Sequence, residues 1–148
     1  MCEGTHTFTL KSGAKFTVYA TPYQPRFWGS FQYDRDQDRF NTAAHAAPGH
    51  TSIATHPIPD FPNIDIMMTH GPPQDILDCT FSGERAGCEN LLRAASRARP
   101  KLYCFGHIHE GHGTKMVTWK DNKSVLGKEV FSHLEYTLTA IHRFIFMM

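Results

Sequence analysis

Residues 64–73 read IDIMMTHGPP, and residues 101–107 read KLYCFGH. Each is a short apolar run that ends on a histidine, and the first is stopped at once by Gly71-Pro72-Pro73. A β-branched start and a stop at breaker residues predict a buried strand over 64–70, and the second run predicts another over 101–107. Between them Cys88, Leu91, Leu92 and Ala95 follow the i, i+3, i+4, i+7 spacing of an amphipathic helix. Pro100 closes that helix, because the residue before a proline is driven out of the helical region. Strand, helix and strand in succession predict a βαβ unit, hence an α/β fold with parallel pairing and a right-handed crossover. Parallel neighbours lie about 4.8 Å apart, so His70 and His107 emerge together at the edge where open α/β sheets place their ligand sites.

Outward from this unit, Phe8 and Leu10, then Phe16, Val18 and Ala20, alternate around a Ser12-Gly13 turn and predict a hairpin over 7–20. Residues 21–63 are rich in proline, aromatic, polar and small residues and read as a long loop region, functional or partly disordered. Its centre, AAHAAPGHTS, reads as the more mobile part, whereas YQPRFWGSF carries too many aromatics for a linker. Beyond the βαβ unit a short strand is predicted over Lys115–Trp119. A helical pattern follows at Phe131, Leu134, Leu138, Ile141 and Ile145.

Three of the ten histidines crowd into CFGHIHEGHG, residues 104–113. Neutral imidazole is the commonest ligand for transition metals. Two histidines separated by one residue point the same way in an extended segment, so His107 and His109 are expected to converge with His70. Gly106 and Gly111 remove side chains where the backbone must turn. His112 reads as a solvated loop residue, and His6, His45, His50, His56, His133 and His142 as bystanders. The acids nearby are Asp75, Asp78 and Glu110, each either a loop cap or a partner that orients a histidine.

The net charge is +1 with basic residues scattered, which gives no electrostatic footprint for nucleic acid or an anionic membrane. The one basic cluster, Arg93, Arg97, Arg99 and Lys101, reads as the solvated face of the helix. Four cysteines without Cys-x-x-Cys spacing, and no signal-like start, predict a reducing, intracellular, cytoplasmic setting. No apolar run reaches the length of a membrane span.

Together KFTVYATPYQPRFW (15–28), IDIMMTHGPPQDILD (64–78) and GCENLLRAASRARPKLYCFGHIHEGHG (87–113) resemble the later half of calcineurin-like metallophosphoesterases, in the metallophosphoesterase-domain-containing, UPF0046-type branch. The resemblance runs over residues 7–119. It implies a two-sheet α/β sandwich and hydrolysis of phosphate mono- or diesters at two divalent ions, drawn from Mn, Fe, Zn and Mg. It places His70 and His107 on one ion and His109 on the other, with Asp78 and Glu110 left to orient ligands. It also implies an earlier half carrying Asp-x-His, Gly-Asp and Gly-Asn-His, whose last histidine is the general acid; none of these occurs here. The expectation is therefore a partial sandwich, a βαβ core plus hairpin lacking the N-terminal half. In it, residues 1–119 form the C-terminal part of the domain and 120–148 a divergent, helical tail. Such a chain acts on phosphoester small molecules weakly or not at all by itself. The alternative is a non-catalytic metal-binding or interaction module that self-associates through an uncovered sheet face.

Overall fold

In the computed structural model residues 1–27 and 29–119 are described. The main sheet has four strands, β1 (Gly4–Thr9), β2 (Lys15–Thr21), β7 (Ile66–Thr69) and β8 (Leu102–Cys104), in the order β1-β2-β7-β8. β1 and β2 form the antiparallel hairpin, with Phe8 opposite Phe16 and their rings stacked at 5.3 Å. β2, β7 and β8 run parallel, so the sheet is mixed. The one α-helix among the described residues, α1 (Glu89–Ala98), is the crossover between β7 and β8. The chain is thus a mixed α/β structure around the βαβ unit read from residues 64–107.

Period-two alternation sorts the sheet into two faces. Tyr19, Met67 and Tyr103 stand opposite one another in register, and all three are fully buried. They share a core with Leu91, Ala94, Ala95 and Ala98 of α1. Small alanines along the helix let it lie close to the sheet, and burying each large side chain there contributes about 1.5–3 kcal/mol. The rows on the other face are Val18, Ile66, Leu102 and Ala20, Met68, Cys104. Met68 and Phe8 remain 41% and 39% exposed on that side.

Cys88 caps α1 as well as opening its apolar stripe: it is buried in the core beside Leu91, and its Sγ accepts the Leu91 N–H at 3.4 Å. The thiol is buried, its pKa pushed up to about 11 by that burial, and it lies 3.5 Å from the Tyr33 hydroxyl. Arg99 ends the helix in the left-handed conformation, its N–H donating to the Ala95 carbonyl at 2.8 Å, and Pro100 follows. Cys104 is half-buried, because it falls on the face of β8 opposite Tyr103.

Residues 21–63 differ from a structureless loop. β3 (Gln24–Pro25) pairs with β4 (Gln32–Tyr33), and β5 (Gln37–Asp38) with β6 (Thr51–Ser52), both parallel. The segment also supplies Tyr33, Phe40 and Ile58 to the core. A buried carboxylate explains much of this order: Asp38 accepts the N–H groups of Phe40 and Asn41 at 2.9 Å and the Asn41 amide at 2.8 Å. Asn41 in turn donates to the Asn90 carbonyl of α1 at 2.9 Å. The AAHAAPGHTS stretch is pinned as well, with Ala47 buried and His50 Nδ1 2.7 Å from Asn90.

Two further expectations change. Arg97 is not on a solvated face: its guanidinium pairs with Asp60 and donates to Asn41 Oδ1 at 2.6 Å, leaving its side chain 21% exposed. Lys115–Trp119 forms no ladder with any of the described residues. Val117 is buried and the Trp119 indole donates to the Pro100 carbonyl at 3.4 Å. The alternation there reports one-sided burial without a strand partner among the described residues. The helical pattern at 131–145, with the rest of 120–148, lies outside the described residues.

Candidate functional site

Both histidine-bearing turns leave the same edge of the sheet. His70 follows β7, with its N–H bonded to the Thr21 carbonyl at 3.2 Å, and its own carbonyl accepts the Gly106 N–H at 2.9 Å. That bond continues the β7–β8 pairing two residues past the ladder. Thr69 steadies the turn from below: its hydroxyl donates to the Gly71 carbonyl at 2.7 Å and lies 3.1 Å from the Tyr103 hydroxyl. The result is that His70 Nε2 stands 3.1 Å from His107 Nδ1, with ring centroids 4.8 Å apart.

Neither ring is fully enclosed; His70 is exposed at the surface and His107 half-buried. Partial burial lowers the pKa of His70. Burial, then the charges of His70 and His109, lowers that of His107. Both imidazoles are therefore neutral near pH 7 and present lone pairs. The 3.1 Å gap suits a single N–H···N hydrogen bond whose donor is set by the tautomers of the two rings. The second nitrogen of His107, Nε2, is buried and has no hydrogen-bond partner among the described residues.

Beyond His107 the backbone is not the extended segment read from the His-x-His spacing. His107 itself takes φ 71°, in the left-handed region, and Ile108 turns inward to 3% exposure. Residues His109–Gly111 then form a 3-10 turn. Gly111 is required there, since a Cβ would sit 2.0 Å from the Leu77 carbonyl oxygen. His109 is exposed, and its charge is felt at His107. Among the described residues no group of three or more His, Cys, Asp or Glu side chains gathers as a metal-ligating cluster.

The acids serve the loop. Asp78 is fully buried; its Oδ2 accepts the N–H groups of Asp75 at 2.9 Å and Gly87 at 3.2 Å, and its Oδ1 takes Arg85 at 3.0 Å. Glu110 Oε1 accepts the Phe81 N–H at 3.3 Å, and backbone N–H groups, its own and that of Phe81, hold its carboxyl below the usual range. Phe27 was not singled out by sequence. It packs against His107 with perpendicular rings 5.9 Å apart, and the aromatic density of YQPRFW was its only signal. A cleft of about 220 Å³ opens elsewhere, at the start of α1, lined by Arg35, His50, Gln74, Glu89 and Asn90 among others. None of His70, His107 and His109 lines it.

The donor set can be tested against a metal. Two ligands of a tetrahedral ion with metal–nitrogen bonds of 2.0–2.1 Å lie about 3.3 Å apart. The 3.1 Å between His70 Nε2 and His107 Nδ1 fits two adjacent coordination positions. The pair is thus suited to part of a metal site, and no carboxylate completes it among the described residues.

No protein-family model matches the chain. Metallophosphoesterase domain-containing protein 1 of Homo sapiens is 36% identical over 104 residues, which are 66% of this chain and 27% of the relative. A UPF0046 protein of Caenorhabditis elegans is 37% identical over 103 residues, 66% of this chain and 22% of the relative. A protein named "Probable rhamnogalacturonate lyase C" of Emericella nidulans is 34% identical over 111 residues, 74% of this chain but only 9% of that protein. Its name describes a polypeptide that lies almost wholly outside the match. Paired T-H-G-P-P and G-H-I-H-E-G turns at one parallel edge, with these relatives, make the chain a metallophosphoesterase homologue. Within that class it belongs to the UPF0046-type branch. The chain spans about a quarter of the length of the curated relatives it matches.

Proposed function

We propose that residues 1–119 are the later part of a metal-dependent phosphoesterase domain, acting on phosphate mono- or diesters through two divalent ions. In this reading His70 and His107 hold one ion and His109 the other. The observation that carries it is the 3.1 Å approach of two neutral imidazoles from sequence-distant turns. Bound ions in such sites activate water and neutralise phosphoryl charge. The protein's own contribution is the orientation of the imidazoles by the β7–β8 edge. No carboxylate or general acid belonging to the family's other motifs occurs in these 148 residues, so the isolated chain turns over slowly or not at all. The free cysteines, Cys2, Cys79, Cys88 and Cys104, support an intracellular, cytoplasmic setting. No described helix is long and apolar enough to cross a membrane.

The test is manganese or zinc uptake by the purified chain, with p-nitrophenyl phosphate and its bis-ester as substrates. The expected result is uptake that depends on His70 and His107, with little hydrolysis. Robust hydrolysis by the chain alone would contradict the expected inactivity, and uptake unchanged in His70→Ala would sink the metal assignment.

The open sheet face favours one second reading, a non-catalytic metal-binding module that self-associates. In the apolar rows through Ile66 and Met68, Val18 and Ala20 are buried and Ile66 half-buried, whereas Met68 stays 41% exposed. Covering them with a second copy would remove that surface from water. Sedimentation of wild type and Met68→Lys decides it: a dimer lost in the variant supports this reading, and a concentration-independent monomer excludes it.

A further inference from the structure

A histidine that binds a metal nearly always donates its other ring N–H to a carboxylate, carbonyl or water, which fixes both tautomer and ring orientation. His107 lacks that device among the described protein groups: with Nδ1 turned to His70, its Nε2 is buried and unpartnered. The torsion that rotates an imidazole is broad and roughly two-fold. Left to itself, the ring could turn over and exchange Nδ1 for a carbon at the place where His70 is met.

What restrains it is packing. The Phe27 ring stands at 83° to the His107 ring with centroids 5.9 Å apart, a favourable perpendicular aromatic arrangement. His107 also meets His70, with centroids 4.8 Å apart and the rings at 50°. The imidazole therefore contacts two rings from two different turns. Phe27 itself sits on a well-anchored loop. Gln24 N–H donates to the Phe31 carbonyl at 3.0 Å, Arg26 N–H to the Tyr33 carbonyl at 2.8 Å, and the buried Gln24 amide to the Ser30 carbonyl at 3.4 Å. β3 and β4 pair on either side of it.

We infer that Phe27 is a positioning residue for His107, fixing by ring packing the imidazole orientation that a hydrogen-bond acceptor fixes in most metal sites. The inference rests on the reading of His70 and His107 as ligands. It also gives Phe27 a role in the site beyond its packing in the loop between β3 and β4.

The experiment uses the full 148-residue chain as wild type, Phe27→Ala, Phe27→Tyr and His107→Ala. Each is titrated with cobalt(II) alone, followed by its visible absorption. The His107 ring resonances are recorded by NMR without metal. Phe27→Ala is expected to weaken cobalt binding about tenfold, to alter the ligand-field bands and to shift the His107 ring signals. Phe27→Tyr, which keeps the ring, is expected to restore all three, a rescue that loss of general stability would not produce. If Phe27→Ala matches wild type in titration and NMR while His107→Ala loses cobalt, the inference is overturned and the metal reading stands. If Phe27→Tyr fails to restore what Phe27→Ala loses, the inference is overturned again. If wild type and His107→Ala bind cobalt alike, the metal reading fails and takes this inference with it.

Discussion

The carbonyl of His70 accepts the N–H of Gly106 at 2.9 Å, and this bond holds together two turns whose histidines are 37 residues apart. The two imidazoles face each other because the strands that carry them are neighbours. Ligands that act as a unit do not add. His70→Ala and His107→Ala should each lower zinc affinity by at least about tenfold, and the double variant should lose little more than either single one. Calorimetric titration of the three variants checks this; additive losses would mean the two rings do not serve one ion.

A second outcome concerns acid. Asp65 joins the parallel strands at their start: Lys101 donates to it at 2.7 Å, the Thr17 N–H at 2.8 Å and the Thr17 hydroxyl at 3.1 Å. The Lys101 ammonium first, then the Thr17 N–H, holds its carboxyl below the usual aspartate range. A depressed folded pKa stabilises above the unfolded value of about 3.9. That stability is lost as pH falls through the folded value, because the unfolded chain then takes up the proton more readily. Thermal melts from about pH 5 to pH 2 should decline less steeply for Asp65→Asn than for wild type. Parallel curves would remove Asp65 from the account.

Asp78 separates a loop-building role from a ligand-orienting one. Removing its carboxylate leaves the buried Gly87 N–H without its acceptor and leaves Arg85 with the longer 3.7 Å pairing to Asp75. We expect Asp78→Ala to cost about 2–4 kcal/mol in urea unfolding. Zinc uptake at a temperature where the variant is folded should stay within about twofold of wild type, since among the described residues no hydrogen bond runs from Asp78 to a histidine.

Gly111 gives the steric counterpart. A methyl group there would lie 2.0 Å from the Leu77 carbonyl oxygen and 2.6 Å from its carbon. The atoms met are backbone of Leu77 and Asp78, which leaves nothing flexible to yield, so Gly111→Ala should destabilise by about 1–3 kcal/mol or more and displace the 3-10 turn. Gly13→Ala has open space around the new methyl but a φ of 85°, so it should cost only the local backbone strain. Comparing their melting temperatures tests the ranking.

The sheet edge was legible because its signals are local. Apolar runs stopped by Gly-Pro-Pro, a 3.6-residue stripe and a closing proline each act within a few residues, and together they fix a βαβ unit and with it the meeting of His70 and His107. What escaped depends on contacts between distant segments. Nothing near Asp38 announces that it organises Phe40 and Asn41, because its partners matter only once Asn90 is beside them. Arg97 looked solvated until Asp60 and Asn41 were folded against it. The His-x-His spacing implied an extended segment, yet burial of Ile108 forces a turn between the two rings.

The His70–His107 contact closes a loop that contains the whole of α1. Any ion gripping both rings would be a clasp on that loop. Its binding energy would add to the stability of strand, crossover and strand together, by an amount that grows with the free ion concentration relative to its dissociation constant. In that sense the edge is also a gauge: occupancy by an ion would report that the crossover is closed, and chelation would be felt first as a loosening of α1 from the sheet.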